Sequence, residues 1–86
     1  MPAIDAEAVL RELATLLAEV EPGHAGGPGS LPTEARWSEL GLDSAAAVEL
    51  LARVEERFDV VIPEEDAIHL TTPGALARFV ARQASS

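Results

Sequence analysis

An all-α fold, a small four-helix bundle, is predicted for this chain by three observations. The hydrophobic fraction is 48% but the aromatic fraction only 3%, so a core has to be assembled from Leu, Val, Ile and Ala on helices. Three longer stretches and one short one carry apolar residues at helical spacing, and a long Pro- and Gly-rich connection separates the first from the second. The 86 residues leave room for a single domain, 1–86, because a chain this short buries only about 60% of its unfolded surface. A deep catalytic cleft is not expected of it.

The first helix is predicted over Ile4 to Val20, where Val9, Leu10, Leu13, Leu16, Leu17 and Val20 form one stripe. Asp5 and Glu7 near its start suit the helix dipole, and Pro22 with Gly23 stops it. Glu21 to Arg36 is the long connection, holding Pro22, Pro28, Pro32 and four of the six glycines. The helix before it cannot fold alone, so this is a loop within one domain. Its Gly-Gly-Pro-Gly run lacks the lysine and the strand-to-helix setting of a phosphate-cradling loop. Leu31, Trp37, Leu40 and Leu42 are expected to pin its later part to the core.

The second helix is predicted over Ala45 to Phe58, with Asp43 as N-cap and Ser44 at the first helical position. At about 100° per residue, Ala47, Leu50, Leu51, Val54 and Phe58 share one arc, the core face. Ala45, Val48, Glu49, Ala52, Glu55 and Glu56 share the opposite arc, in line with Ser44. Solubility alone does not call for a β-branched apolar residue and small alanines among carboxylates, so this arc reads as a docking surface beside an exposed hydroxyl. Replacing Glu55 by Ala is expected to be nearly silent in stability.

Val60 to Pro63 is extended and apolar but has no partner strand, so it is predicted to be loop, with Ile62 in the core. Glu64, Glu65 and Asp66 form either an acidic first turn or a cation site. The first turn fits better, since three adjacent helical residues diverge and the ligand spacing of a calcium loop is missing. No metal site is assigned. A short third helix is predicted from Glu65 to Leu70, with Ile68 and Leu70 inward and His69 at the surface. Thr72 as N-cap and Pro73 in the first turn open a fourth helix running to Gln83, which buries Leu76, Phe79 and Val80 and leaves Arg78 and Arg82 in water.

Fifteen acids against six arginines and no lysine give a net charge of −9, which argues against nucleic acid and anionic membrane as partners and for basic protein surfaces. With no cysteine, any thiol chemistry must come from an added group. No apolar run approaches the roughly 20 residues of a membrane span, and the start has no basic leader segment, so a cytoplasmic setting is expected. Catalysis finds no support: His24 and His69 are far in sequence from Ser44, and no convergent carboxylates or metal set are visible. No catalytic residue is assigned.

Four motifs stand in register: W-S-E-L-G-L-D-S ending at Ser44, V-E-L from Val48, F-D-V-V-I-P from Phe58, and T-T-P-G-A-L from Thr71. Together they resemble the acyl and peptidyl carrier protein family over nearly the whole chain. The resemblance implies that Ser44 receives a covalent 4′-phosphopantetheine arm from coenzyme A through a phosphopantetheinyl transferase, and that the arm's thiol carries acyl or aminoacyl groups as thioesters. It implies that Asp43 helps hold the metal used by the modifying enzyme, and that Val48, Glu49, Glu55 and Glu56 belong to a recognition helix. The chain is then no enzyme but a monomeric carrier serving enzymes in trans: a loading enzyme, acyl or aminoacyl, and a downstream ketosynthase, acyltransferase or condensing enzyme.

Ala45 and Ala46 depart from the large aliphatic residue and the acid that commonly follow the serine, and Trp37 stands where the family usually has Phe. The G-L-D-S form and the acidity lean toward acyl carriers. The expected function is a freestanding acyl carrier protein of polyketide-type or other specialised biosynthesis. The alternatives are an aminoacyl or peptidyl carrier of nonribosomal peptide-type biosynthesis and an unmodified helical interaction module.

Overall fold

A computed structural model describes residues 4–20 and 32–85. The first helix, α1, spans Ala6–Val20. It begins two residues later than the periodicity predicts because Asp5 caps it: its carboxylate accepts the Ala8 N–H at 2.8 Å, and its carbonyl accepts from Val9 at 3.1 Å. Ile4 lies just outside and packs, half-buried, against the core, in the position of a hydrophobic staple. A 3-10 turn, Trp37–Leu40, precedes α2 (Ser44–Phe58), α3 (Glu64–Ala67) and α4 (Pro73–Ser85). The order is the predicted four-helix one, and no strand occurs among the described residues. Residues 21–31, including Leu31, His24 and the Gly-Gly-Pro-Gly run, lie outside the described residues.

α1 packs against both α2 and α4. Val9, Leu13, Leu16 and Leu17 of α1 meet Leu50 and Val54 of α2 and Leu76, Ala77, Phe79 and Val80 of α4 in one core cluster. The rotation of α2 is the predicted one: Leu50 and Val54 are fully buried, while Ala47, Leu51 and Phe58 sit half-buried at the margin. α2 ends at Asp59, whose φ of 54° is left-handed, a conformation Asp tolerates better than most residues, and Val60 N–H closes the turn on the Glu55 carbonyl at 3.1 Å.

The third helix corrects the sequence reading. It covers Glu64–Ala67, a single turn ahead of the Glu65 to Leu70 expected, and Ile68 is 70% exposed. Residues three apart share a helical face. With Leu70 buried, Ala67 takes the inner position beside it, and Ile68 is carried round toward solvent. The fourth helix starts as expected, with Thr72 Oγ1 accepting the Ala75 N–H at 3.2 Å, and runs two residues past Gln83. It carries Arg78 and Arg82 and no acid.

Two connections are fastened to each other. Trp37 is 8% exposed; its indole N–H donates to the Leu70 carbonyl at 2.8 Å and its backbone N–H to the Thr71 carbonyl at 3.2 Å. Gly74 N–H donates to the Thr33 carbonyl at 2.7 Å, and a Cβ on Gly74 would stand 2.8 Å from that oxygen, so only glycine fits so close an approach. Elsewhere α2 is joined to α1 by ion pairs: Arg53 to Glu19 at 3.1 Å, and Arg57 to Glu12. Such half-exposed pairs contribute roughly 0–1 kcal/mol each and serve to orient the arginines.

Trp37→Phe keeps one aromatic ring but removes the pyrrole half of the indole and leaves the buried Leu70 carbonyl without its donor, so it should lower unfolding stability by at least about 1–3 kcal/mol. Leu50→Ala, which opens a cavity, should cost about 2–5 kcal/mol. Urea midpoints check both, and an unchanged midpoint for Trp37→Phe would mean that packing alone holds the ring.

Candidate functional site

The site is assembled from the segment Gly41–Ser44, in which each residue has a separate local role. Gly41 adopts φ 86° to turn the chain out of the 3-10 turn, a conformation only glycine takes without strain. Leu42, 4% exposed, anchors the segment in the core, and its N–H donates to the Trp37 carbonyl at 3.0 Å. Asp43 caps α2, accepting the Ala46 N–H at 2.8 Å. Ser44 is therefore delivered at the first position of α2 with its side chain exposed, and none of the hydrogen bonds among the described residues engages its hydroxyl.

The electrostatics around Ser44 are set by two carboxylates that are already committed. Glu39 turns back to accept the Arg36 N–H at 2.7 Å, and Asp43 occupies one of the free N–H groups of α2. A helix N-terminus ordinarily welcomes an anion. Asp43 takes up one of the N–H groups that α2 leaves unpaired at that end.

Of the predicted outward arc, Ala45, Val48, Glu49, Ala52 and Glu56 are exposed, Val48 by 66%. Glu49 approaches Arg53 at 3.9 Å, a contact that guanidinium divides with Glu19. Glu55 differs from the reading made of it. Its side chain is half-buried and its Oε2 accepts the Ile62 N–H at 2.8 Å, so it ties the loop after α2 back onto the helix. Periodicity places Glu55 on the outer arc but says nothing of where the chain returns seven residues later.

That return leaves a groove of about 240 Å³ between α2 and α3. Its apolar wall comes from Val48, Leu51, Ala52, Ile62 and Ala67, and two carboxylates, Glu55 and Glu64, complete it. Val48 lies four residues beyond Ser44 on the same helix, about 6 Å along the axis. Among the described residues no cluster of His, Cys, Asp or Glu is arranged to hold a metal, and no helix is long and apolar enough to cross a membrane.

Residues 7–80 match the sequence model of the family described as phosphopantetheine attachment site. The chain belongs to that family, whose attached group is covalently held 4′-phosphopantetheine. It is 37% identical over 54 residues to an acyl carrier protein of Wolinella succinogenes, a match covering 62% of this chain and 71% of that protein. It is 38% identical over 50 residues to an acyl carrier protein of Streptomyces coelicolor, covering 58% of this chain and 54% of that one. A relative from Schizosaccharomyces pombe matches at 37% over 51 residues, 59% of this chain and 46% of its own length. The matches thus span about half the length of two of these three relatives. The residues around Ser44 fit such a group: an exposed, unengaged hydroxyl stands at the head of α2, with an open groove one turn away.

Glu55→Ala should not be silent. It leaves the Ile62 N–H, part-buried, without an acceptor and should cost about 1–3 kcal/mol, while Glu55→Gln, which keeps an acceptor oxygen, should recover most of the loss. Equal urea midpoints for Glu55→Ala and the unaltered protein would show that the bond adds nothing.

Proposed function

We propose that this chain is an acyl carrier protein, one carrier domain whose Ser44 holds the 4′-phosphopantetheine arm. The observation that carries the reading is the Ser44 hydroxyl, exposed and unengaged at the first position of α2, inside the span that matches the attachment-site family. The names of the relatives from Wolinella and Streptomyces support acyl groups as the cargo. In the loading step a transferase joins Ser44 Oγ to the β-phosphorus of coenzyme A. The pyrophosphate bond breaks, adenosine 3′,5′-bisphosphate leaves, and the serine proton passes to solvent or a base of the transferase.

The arm supplies the thiol on which acyl groups ride as thioesters, chemistry that a chain without cysteine cannot provide itself. The protein's own residues present and address it. Asp43 fixes the start of α2, so Ser44 points outward, and its charge opposes that of the phosphodiester, favouring an arm extended from the surface. Glu49 and Glu56 with Val48 form the surface that a transferase or acyl-handling enzyme meets beside the arm, and basic residues on that partner would gain long-range attraction. Ala45 makes this surface flatter than the motif's common form, and Ala46, half-buried against the core, adds no charge beside it. On that ground we place the chain in polyketide-type or another specialised biosynthesis, serving its enzymes in trans.

Incubation of the apo protein with coenzyme A and a broad-range phosphopantetheinyl transferase should yield a single addition by intact mass, and none for Ser44→Ala. An addition that persists in Ser44→Ala, or none in the unaltered protein, would refute the assignment.

Docking should be steered by charge. Glu49→Arg should slow the transferase reaction several-fold at low salt through the association rate, and the difference should shrink as salt screens exposed charges beyond about 8 Å. Glu7→Arg on α1, 83% exposed, is the control and should leave the rate nearly unchanged. Equal rates for Glu49→Arg and the unaltered protein at low salt would remove Glu49 from the surface.

A further inference from the structure

Arg53 stands between two carboxylates and holds them unequally. Its Nη1 donates to Glu19 Oε1 of α1 at 3.1 Å, a hydrogen bond, while its Nη2 lies 3.9 Å from Glu49 Oε1, where charge attracts but no hydrogen bond forms. Its Nε is buried without an acceptor, so the root of the guanidinium is fixed in the packing and only its two terminal nitrogens meet carboxylates. A planar fork held at that atom passes from one acid toward the other by a small turn. Of the two exposed acids of α2, Glu49 and Glu56, only Glu49 has a counter-ion among the described residues. Arg57, one turn beyond Arg53, is bonded to Glu12 of α1, and among the described residues no ion pair joins it to an acid of α2.

We propose that Arg53 sets how much of the Glu49 charge a partner meets, and that Glu19 governs this in turn by holding the guanidinium back on α1. The proposal rests on Glu49 belonging to the docking surface. A basic side chain on the partner competes with Arg53 for Glu49, and because the existing contact is long and half-exposed it is weak and readily displaced. An arginine turned away from Glu49 would ordinarily stay beside the incoming cation and repel it. Here Glu19 takes up its charge, so the repulsion is reduced. Without Glu19 the guanidinium would pass to Glu49 and neutralise that acid before a partner arrives. Without Arg53 the partner would meet Glu49 uncompensated. Arg53 is thus a positioning residue of the docking surface: it acts through Glu49 and takes no part in the transfer at Ser44.

The test follows, by intact mass, the rate at which a broad-range phosphopantetheinyl transferase modifies Ser44 at low salt and below saturation. Arg53→Met, which keeps an apolar stem and drops the charge, should raise the rate about two- to fivefold over Arg57→Met, and Glu19→Ala should lower it by a similar factor relative to Glu12→Ala. Each control changes the net charge equally and breaks the other tie between α1 and α2, so neither net charge nor loosened packing produces the differences. Both differences should vanish in a Glu49→Gln background and shrink as salt is raised. Arg53→Met matching Arg57→Met, Glu19→Ala matching Glu12→Ala, or differences that survive Glu49→Gln would each overturn the proposal. If Glu49→Arg slows the reaction while those pairs match, only this proposal falls. If Glu49→Arg leaves the rate unchanged, the docking surface falls and the proposal with it. Failure of the arm to attach to Ser44 would be seen first, by mass, and would overturn the carrier reading as well.

Discussion

The hydrogen bond from the Trp37 indole to the Leu70 carbonyl is the constraint on which the arrangement of the site depends. Three helices supply most of the hydrophobic core, and burial of α1, α2 and α4 fixes where those helices lie. It does not fix the segments between them, which have few apolar residues to spend. Burial is non-directional, while hydrogen bonds have a definite geometry. Trp37 does both at once: its ring joins the core and its N–H selects one carbonyl 33 residues away. The backbone bonds from Trp37 to Thr71 and from Gly74 to Thr33 extend the same seam. The path into Ser44 and the path out of α3 are thus set by one another.

The one-turn α3 shows why such seams are needed. None of its own residues is fully buried. It is held at its ends, by Ile62 and the Glu55 carboxylate before it and by Leu70 and the Trp37 indole after it. The groove wall it contributes is therefore positioned by two side-chain bonds, one from each side, and its width follows from them more than from packing within the helix.

The long helices were legible because each repeats its apolar residues over three or four turns, and an error of one position would have put Leu13, Leu50 or Leu76 into water. The site was legible for a different reason. Gly41, Leu42, Asp43 and Ser44 each do something local, a left-handed turn, an anchor, a cap and an exposed hydroxyl, and local requirements are written in adjacent residues. What periodicity missed was settled at a distance or in too few residues to have a period. Ile68 falls on a helix one turn long, where the position of Leu70 decides which face is inward. Asp5 looked like an acid placed for the dipole and is the cap itself. The Glu55 bond to Ile62 and the Trp37 bond to Leu70 depend on where the chain comes back, which no pattern within either helix records.

The distribution of charge over the helices has a consequence for how the molecule moves. α4 carries two arginines and no acid, while α3 carries three acids and no base, and α2 sends both its arginines toward α1. Arg78 of α4 is balanced by Glu34 at 3.7 Å, so among the described residues the acids left without a base on their own α-helix are those of α3, and the charge is unevenly placed in addition to being net negative. Net charge draws a particle toward an opposite field; its uneven placement also produces a torque. A basic partner would thus rotate this protein during approach, turning the α3 side forward before any surface touches. Much of the orientational search that slows ordinary protein association would then take place in free diffusion.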